Sequence, residues 1–521
     1  MAEWEEVEYL VITWESNFQN ILHQIVAAAV NECKVIITTQ NQSSVSNYLS
    51  SAGIDLSQVI FMNENWDSIW IRDYAGNTVY SNDVGERAIT DWIYNRPRPN
   101  DDVMPSAHAS LLDLPIYITN TGTNDLVNTG GNFMSDGLGT AFASELILDE
   151  NAAGNPYGVS AKTEAEIDGI MNAYMGIERY IKMPTLPYDV IHHIDMHMKL
   201  LDEETLLVSQ YPPGVADGPQ IEANISEVVA NYPSVFGTPY KVEWIPAPPS
   251  SSGQYPDTGG YYRTFTNAVF INKTVLVPTY RPEVDGPALE RWQELLPGYN
   301  IVGIDVDNSG ENLISLLGAI HCITHTIGVD EPLWIVHQPI DQAAQGAMVS
   351  VDARIEHSSG IQEAMVYWRE GSGSFNAVPM TAIGNDLWSA DLQMPNTVSQ
   401  VDYYIQATAN SGKTLVRPLV APDGFWTINV GNLSIEDFSS RRFISDAVPN
   451  PTNGAVEFRL NQIHETIQVI IYNVLGQELY HGEIPQGHGN YRLELNPEWQ
   501  GVLWVQFEGS FGRVHRQVLK L

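Results

Sequence analysis

Only two cysteines occur in 521 residues, and one of them, Cys322, lies in Gly318-Ala319-Ile320-His321-Cys322-Ile323-Thr324-His325. A thiol placed between a helix-like run (Asn312 to Ala319) and a short apolar run supports two readings. It is a nucleophile with histidines at hand, or a small buried hydrophobe, since unpaired Cys is among the most buried residue types. Three other stretches bear on the choice. Trp70-Ile71-Arg72-Asp73-Tyr74 sets an acid beside aromatic rings, which suits a planar cation because the carboxylate pairs with it while a ring covers it. A surface Arg72–Asp73 pair is the plainer alternative. Val190-Ile191-His192-His193-Ile194-Asp195-Met196-His197 puts an imidazole two residues from a carboxylate. As a strand it would carry His193, Asp195 and His197 on one face and His192 on the other, giving an acid/base group beside a cation binder. Zinc ligation is a rival use of such residues, but with Cys322 they match no standard ligand spacing. A buried, hydrogen-bonded histidine is another. Finally, Asn95-Arg96-Pro97-Arg98-Pro99-Asn100 places each arginine before a proline, which biases it toward extended backbone, where residues i and i+2 share a side. Two guanidinium groups converging there would clamp a carboxylate; a solvated turn with internal ion pairs is the alternative.

The elements that must hold these residues alternate along the chain. The pattern predicts a strand over Val7 to Thr13, a helix from about Ser16 to Glu32, a strand at Val35 to Thr39, a helix at Gln42 to Ala52 and a strand at Val59 to Met62. Hairpins follow at Met198 to Tyr211 and Ala268 to Thr279, the second turning at Asn272-Lys273. These units suggest an internal repeat. From about 333 to 430 helical periodicity disappears and short alternating strands succeed one another (Met348 to Ile355, Glu363 to Trp368, Asp402 to Ala407, Gly424 to Val430), as in a β-sandwich. A polar linker at 431–442 leads to a small β module over 443–521.

The bulk properties narrow the partners. Sixty-three acids against 25 bases give a formal charge of −38, a field that repels nucleic acid and anionic lipid and attracts cationic ligands such as arginine-rich peptides. Solvation of the surface by the acids would account for the same composition. The chain is long enough for two to four domains. Two cysteines make no disulfide framework, and Cys33, beside Val35-Ile36-Ile37, reads as a packed residue. No apolar run is long enough to span a membrane, and the acidic opening Met1-Ala2-Glu3-Trp4-Glu5-Glu6 is no signal peptide.

Taken in order, six pieces of the chain resemble the guanidino-group-modifying deiminases, and most closely the bacterial peptidylarginine deiminases. They are Trp70-x-x-Asp73, Arg96-x-Arg98, Thr129-Gly130-Gly131-Asn132-Phe133-Met134-x-Asp136-Gly137, His193-x-Asp195, Thr266-Asn267, and Ile320-His321-Cys322-Ile323-Thr324. The resemblance covers about 3–327 and implies a five-bladed pseudo-symmetric α/β propeller (pentein) at 1–332. It further implies an immunoglobulin-like all-β sandwich at 333–430. It implies Cys322 as nucleophile, His193 as proton carrier, Asp73 and Asp195 as the carboxylates around a guanidinium, and Trp70, Arg96, Arg98 and Asn267 as substrate-binding residues, with no metal or other cofactor. His321 and His325 have no assigned role. The implied reaction turns peptide arginine, preferentially C-terminal arginine, into citrulline and ammonia through a covalent thiouronium. An agmatine or free-arginine deiminase is the nearest alternative. Such relatives usually carry an acid where this chain has Thr129, and agmatine lacks the carboxylate that would justify Arg96 and Arg98. A surface adhesion protein is the alternative without chemistry. The last eighty or so residues, through Pro449-Asn450-Pro451 and Tyr472-Asn473-x-x-Gly476-Gln477, resemble the C-terminal sorting domain of type IX secretion substrates. That implies a secreted or cell-surface protein whose natural precursor has a removed leader, with the secretion machinery as a partner.

Overall fold

The computed structural model describes residues 1–431, 452, 454–460, 466–473, 477–485, 490–509 and 512–520. The expected linker beyond Gly431 and the segments Pro449-Asn450-Pro451 and Val474-Leu475-Gly476 lie outside the described residues.

Five small sheets occupy the stretch from Val7 to Gly328. Four follow one plan: two antiparallel strands joined by a turn, then a helix, then a third strand parallel to the second. These are Asn77–Tyr80, Arg87–Tyr94 and Ile116–Thr119; Met134–Ser135, Thr140–Ser144 and Arg179–Met183; Met198–Leu200, Thr205–Gln210 and Lys241–Pro246; and Val269–Ile271, Thr274–Thr279 and Asn300–Asp305. The crossover helices are Met104–Leu112, Glu164–Met175, Gly218–Asn231 and Pro282–Leu295. Parallel neighbours cannot be joined by a tight turn, so each unit needs its crossover helix, which also covers a face of the sheet. The remaining sheet repeats the plan with a long-range partner. Val7–Thr13 lies parallel to Lys34–Thr38 beyond the helix Gln19–Ala29, and pairs antiparallel with His325–Gly328, with Val11 opposite His325. The strand that follows the Cys322 loop therefore closes against the first strand of the chain.

The apolar spacing explains the packing. Gln19–Ala29 buries Ile21, Leu22, Ile25, Val26 and Ala29, one helical stripe, against nearly continuous apolar strands such as Val7–Thr13. Helix Glu164–Met175 opens on a capping box between Thr163 and Glu166 and ends on the left-handed Gly176.

Local structure departs from the sequence-based expectation at three places beside the candidate site. No strand forms over Val190 to His197. His192 is left-handed, with φ 57°, which breaks the extended path, and Ile194–Met196 is a 3-10 turn. The helix expected at Asn312 to Ala319 is only the 3-10 turn Leu313–Leu316, ended by the left-handed Leu317. Arg96 to Arg98 is not extended: the Arg98 N–H donates to the Arg96 carbonyl at 2.8 Å, closing a tight turn about Pro97.

From Trp334 to Gly431 two antiparallel-rich sheets share one apolar core that includes Val351, Ile355, Val366, Tyr403, Ile405 and Ile428. Burial alternates along Met348–Glu356, as a strand with one face on a core requires. This part joins the α/β part through Arg417, whose Nη2 donates to both oxygens of Glu203 at 3.1 Å, and through Lys413 to Glu6 at 2.8 Å. The described C-terminal strands form a pair, Ala455–Arg459 with Asn490–Glu494, and a four-stranded sheet built on Ile467–Asn473 and Gly501–Gly509.

Candidate active site

Arg96 and Arg98 aside, the site is built from five separate segments, each just before the strand that pairs antiparallel at one edge of a sheet. Asp73 precedes Asn77–Tyr80, Gly131 precedes Met134–Ser135, Asp195 precedes Met198–Leu200, Asn267 precedes Val269–Ile271, and Cys322 precedes His325–Gly328. The equivalent ends of the five sheets thus supply one cluster. Two backbone approaches hold it shut. Arg72, in the short helix Ile71–Tyr74, gives its N–H to the Cys322 carbonyl at 3.2 Å and its Nε to the His321 carbonyl at 3.3 Å. Gly131 runs so close to the site that a Cβ there would lie 2.9 Å from Asp73 Oδ1 and collide with His193 Nδ1.

Around the thiol, the Asn267 amide donates to Cys322 Sγ at 3.3 Å, and the S–H faces Asp195 Oδ2 at 3.7 Å. Asn267 Oδ1 accepts from the backbone N–H of His321 at 3.0 Å and of Cys322 at 3.4 Å, so one side chain fixes both the loop and the sulfur. His193 Nδ1 is 3.5 Å from Asp73 Oδ1, and its Nε2 is 3.5 Å from Thr129 Oγ1. Asp195 Oδ2 takes a hydrogen from His321 Nδ1 at 2.6 Å. The Trp70 ring covers Gly318, whose own Cβ position lies 3.1 Å from the Cys322 Cβ.

The charges follow from burial. Cys322 is 2% exposed, and burial together with the negative charges of Asp195 and Asp73 pushes its thiol well up, against the weaker pull of the Ala319 backbone and Asn267. Burial also raises Asp73, with Asp195 adding to it; His193 and Arg96 offset only part. Asp195 goes the other way. Burial would raise it, but the hydrogen bond and charge of His321, helped by His193 and Arg72, hold it below the usual carboxylate range. A cation placed between Asp73 and Asp195 would reverse the first two shifts. It would favour the thiolate, the reactive form, and ionised Asp73 together.

The structure therefore brings Cys322, Asp73, Asp195, His193, Asn267 and Trp70 into one cluster. The two arginines lie at its border on opposite errands. Arg98 Nη1 donates to Tyr94 at 3.0 Å and Ser68 at 3.2 Å. Arg96 Nη1 donates to its neighbour's carbonyl, Asn95, at 2.9 Å, while its charge acts on Asp73 and Glu150. Neither is ion-paired to a carboxylate among the described residues. Arg72 pairs not with Asp73 but with loop carbonyls and, at 3.9 Å, with Glu3. His197 is buried with neither ring nitrogen bonded, and burial drives it down to about 4. Three residues in the cluster had no role assigned from sequence. His321 links Asp195 to Glu3, and Glu3 pairs with the buried Lys199. A histidine beside the thiol was a visible signal for the first; nothing local pointed to the other two.

Residues 1–327 match the family model for Porphyromonas-type peptidyl-arginine deiminase, and residues 447–520 match that for the secretion system C-terminal sorting domain. A protein named "Putative agmatine deiminase" from Yersinia pestis is 23% identical over 356 residues, spanning 63% of this chain and 94% of that protein. Among solved structures, the C. jejuni agmatine deiminase is similar with a TM-score of 0.51 and 20% identity, over 63% of this chain and 95% of that one. The agmatine deiminase of Enterococcus faecalis gives a TM-score of 0.53 and 19% identity, over 63% and 94%. At that identity the likeness is one of fold, the mixed α/β pentein fold of the deiminases, here followed by β-rich regions. The type IX sorting domain marks the protein as secreted or held at the cell surface.

Proposed function

Since the chain belongs to the Porphyromonas-type peptidyl-arginine deiminase family, whose members are enzymes that hydrolyse guanidino C–N bonds, we propose that it deiminates peptide arginine, preferentially C-terminal arginine, at Cys322. The observation that carries the site assignment is a set of buried polar atoms left without a hydrogen bond: Asp195 Oδ1, and Asp73 Oδ1 and His193 Nδ1, which face each other at 3.5 Å. Buried polar atoms are rarely left unpaired, and a guanidinium supplies five N–H donors in one plane. Held between the two carboxylates, its carbon presents to Cys322 Sγ.

In the proposed sequence the substrate's charge lowers the thiol, His193 takes the thiol proton, and the thiolate forms a C–S bond at the guanidinium carbon. The C–N bond to one terminal nitrogen breaks as His193 supplies the proton with which that nitrogen leaves as ammonia. What remains is an S-alkylthiouronium. His193, now neutral, takes a proton from a water that attacks the same carbon; the C–S bond then breaks and Cys322 returns. The net change is guanidinium plus water to urea group plus ammonium. Asn267, already bonded to Sγ, serves to position it, and Trp70 covers the planar cation. No metal or cofactor enters any step.

Peptide substrate is favoured over agmatine by Arg96 and Arg98. Two partly buried guanidinium groups at the border of the site, in ion-pair contact with no carboxylate among the described residues, suit the α-carboxylate of a terminal arginine. Agmatine has no such group. Five like sheets supplying five like segments support a five-bladed pseudo-symmetric propeller over 1–332. The shared two-sheet core supports an immunoglobulin-like unit at 333–430, with a linker at 431–442 and the sorting unit at 443–521. The test is citrulline formation from a peptide ending in arginine, the same peptide amidated, a peptide with internal arginine, and agmatine, with Cys322→Ala as control. Highest kcat/KM on the free terminal arginine, and none from Cys322→Ala, is expected. Preference for agmatine would overturn the peptide assignment, and turnover by Cys322→Ala the nucleophile.

A further inference from the structure

Only one oxygen of Asp195 is free for the substrate; the other opens a buried chain of charges that reaches the N-terminal segment. His321 Nδ1 lies 2.6 Å from Asp195 Oδ2, and His321 Nε2 lies 2.6 Å from Glu3 Oε1. An ionised carboxylate oxygen only accepts, so His321 can serve both carboxylates at once only with a hydrogen on each ring nitrogen. Glu3 also pairs with Lys199, whose side chain is 1% exposed, and faces Arg72 Nη1 at 3.9 Å. Glu3 itself is flanked by Ala2 and Trp4, 1% and 3% exposed, so this segment is packed into the core rather than laid on the surface. Burial alone would raise both carboxyls; the His321 charge, with Lys199 and Arg72 at Glu3, holds both below the usual range.

We propose that Glu3, acting through His321, is a positioning residue for guanidino deimination: it anchors Oδ2 of Asp195 so that Oδ1 stays free for the substrate guanidinium. This rests on Asp195 being a substrate-binding carboxylate. Without the Glu3 anion the ring loses its second acceptor and the cationic form its counter-charge. The bond to Oδ2 then weakens, Asp195 rotates or takes up a proton, and the guanidinium loses its fixed partner. Glu3 lies 318 positions from its partner ring, in a segment that carries none of the motif residues quoted above.

The test measures kcat, KM and the pH profile on an arginine peptide for wild type, Glu3→Gln, Glu3→Asp and His321→Asn, with the active fraction counted by thiol titration. Glu3→Gln is expected to lose about 10–100-fold in kcat/KM and to move the acid limb of the profile to higher pH, because Asp195 no longer stays ionised as far down. His321→Asn should do the same, and Glu3→Asp, which keeps the charge, should recover part of the loss. A merely structural role would lower the active fraction while leaving KM and the acid limb of the surviving enzyme in place, and that result overturns the inference. Should Glu3→Gln fail to fold, Glu3→Asp and His321→Asn carry the same two readouts. An active wild type with unmoved variants refutes this inference alone. A wild type that forms no citrulline refutes the assignment beneath it and this inference too.

Discussion

Gly131→Ala isolates the geometry of the candidate site from the stability of the fold. Gly131 belongs to the 3-10 turn Gly130–Asn132 and does not have a positive φ, so alanine meets no backbone penalty there. The whole effect comes from where the new methyl goes: 2.9 Å from Asp73 Oδ1 and in collision with His193 Nδ1. Ordinary contact needs roughly 3.5 Å, so the imidazole must retreat by about 1 Å. A displacement of that size at reacting groups costs on the order of 10²-fold in rate. Overpacking of this kind costs about 1–3 kcal/mol in stability, which a folded protein of ordinary stability survives. The assay is citrulline release from an arginine-terminated peptide, read as kcat/KM, with thermal melting beside it. Gly169→Ala is the control: it lies inside helix Glu164–Met175 with nothing within 4 Å of its Cβ position. It should keep full activity and gain about 0.5–1 kcal/mol from helix propensity. A folded Gly131→Ala enzyme with wild-type kcat/KM would refute the placement of His193 and Asp73 at the reacting centre. Equal losses from both alanines would refute the steric reasoning.

Other outcomes follow from the borders of the site and from the N-terminal segment. Arg96→Ala and Arg98→Ala should raise KM for a peptide with free C-terminal arginine by about 10-fold or more, with the amidated peptide nearly unaffected. Because Arg98 also holds Tyr94 and Ser68, its replacement should lower the melting temperature as well. Burial raises Glu5 from its ordinary 4.5 to about 7, against the pull of the N-terminal ammonium. Between those values the unfolded chain releases a proton that the folded one keeps. Stability is therefore fully present below about pH 4.5, falls by about 3 kcal/mol as pH rises to 7, and stays lost above it. Glu5→Gln should flatten that part of a melting-temperature profile, and an unchanged slope would remove Glu5 as its source.

What could be seen in the sequence and what could not divide along a physical line. The residue types were visible because each is costly or rare in its setting: a thiol in a chain with two, arginines before prolines in a strongly acidic protein, an imidazole two residues from a carboxylate. The alternation of strands and helices was visible because apolar periodicity reports burial, and Gln19–Ala29 follows it residue by residue. Local conformation at the site was the weak point. Val190 to His197 has the alternation of a strand, yet His192 takes φ 57° and Ile194–Met196 turns. Periodicity fails there because these residues are arranged around a shared cluster and not along a sheet face. His193 and Asp195 still reach the cluster, since their place depends on where the segment enters its sheet, while His197 is buried without a hydrogen bond at either ring nitrogen. Glu3 and Lys199 were invisible for a related reason. Their partnership with His321 is a property of how the first sheet closes on its last strand, Val11 opposite His325. That closure carries the N-terminal segment in behind the thiol loop, and pairing across more than 300 residues leaves no trace in any local window. Chemistry was therefore legible where a side chain is proposed to meet substrate, and hidden where one side chain is proposed to act through another. The second kind is what Glu3→Gln examines.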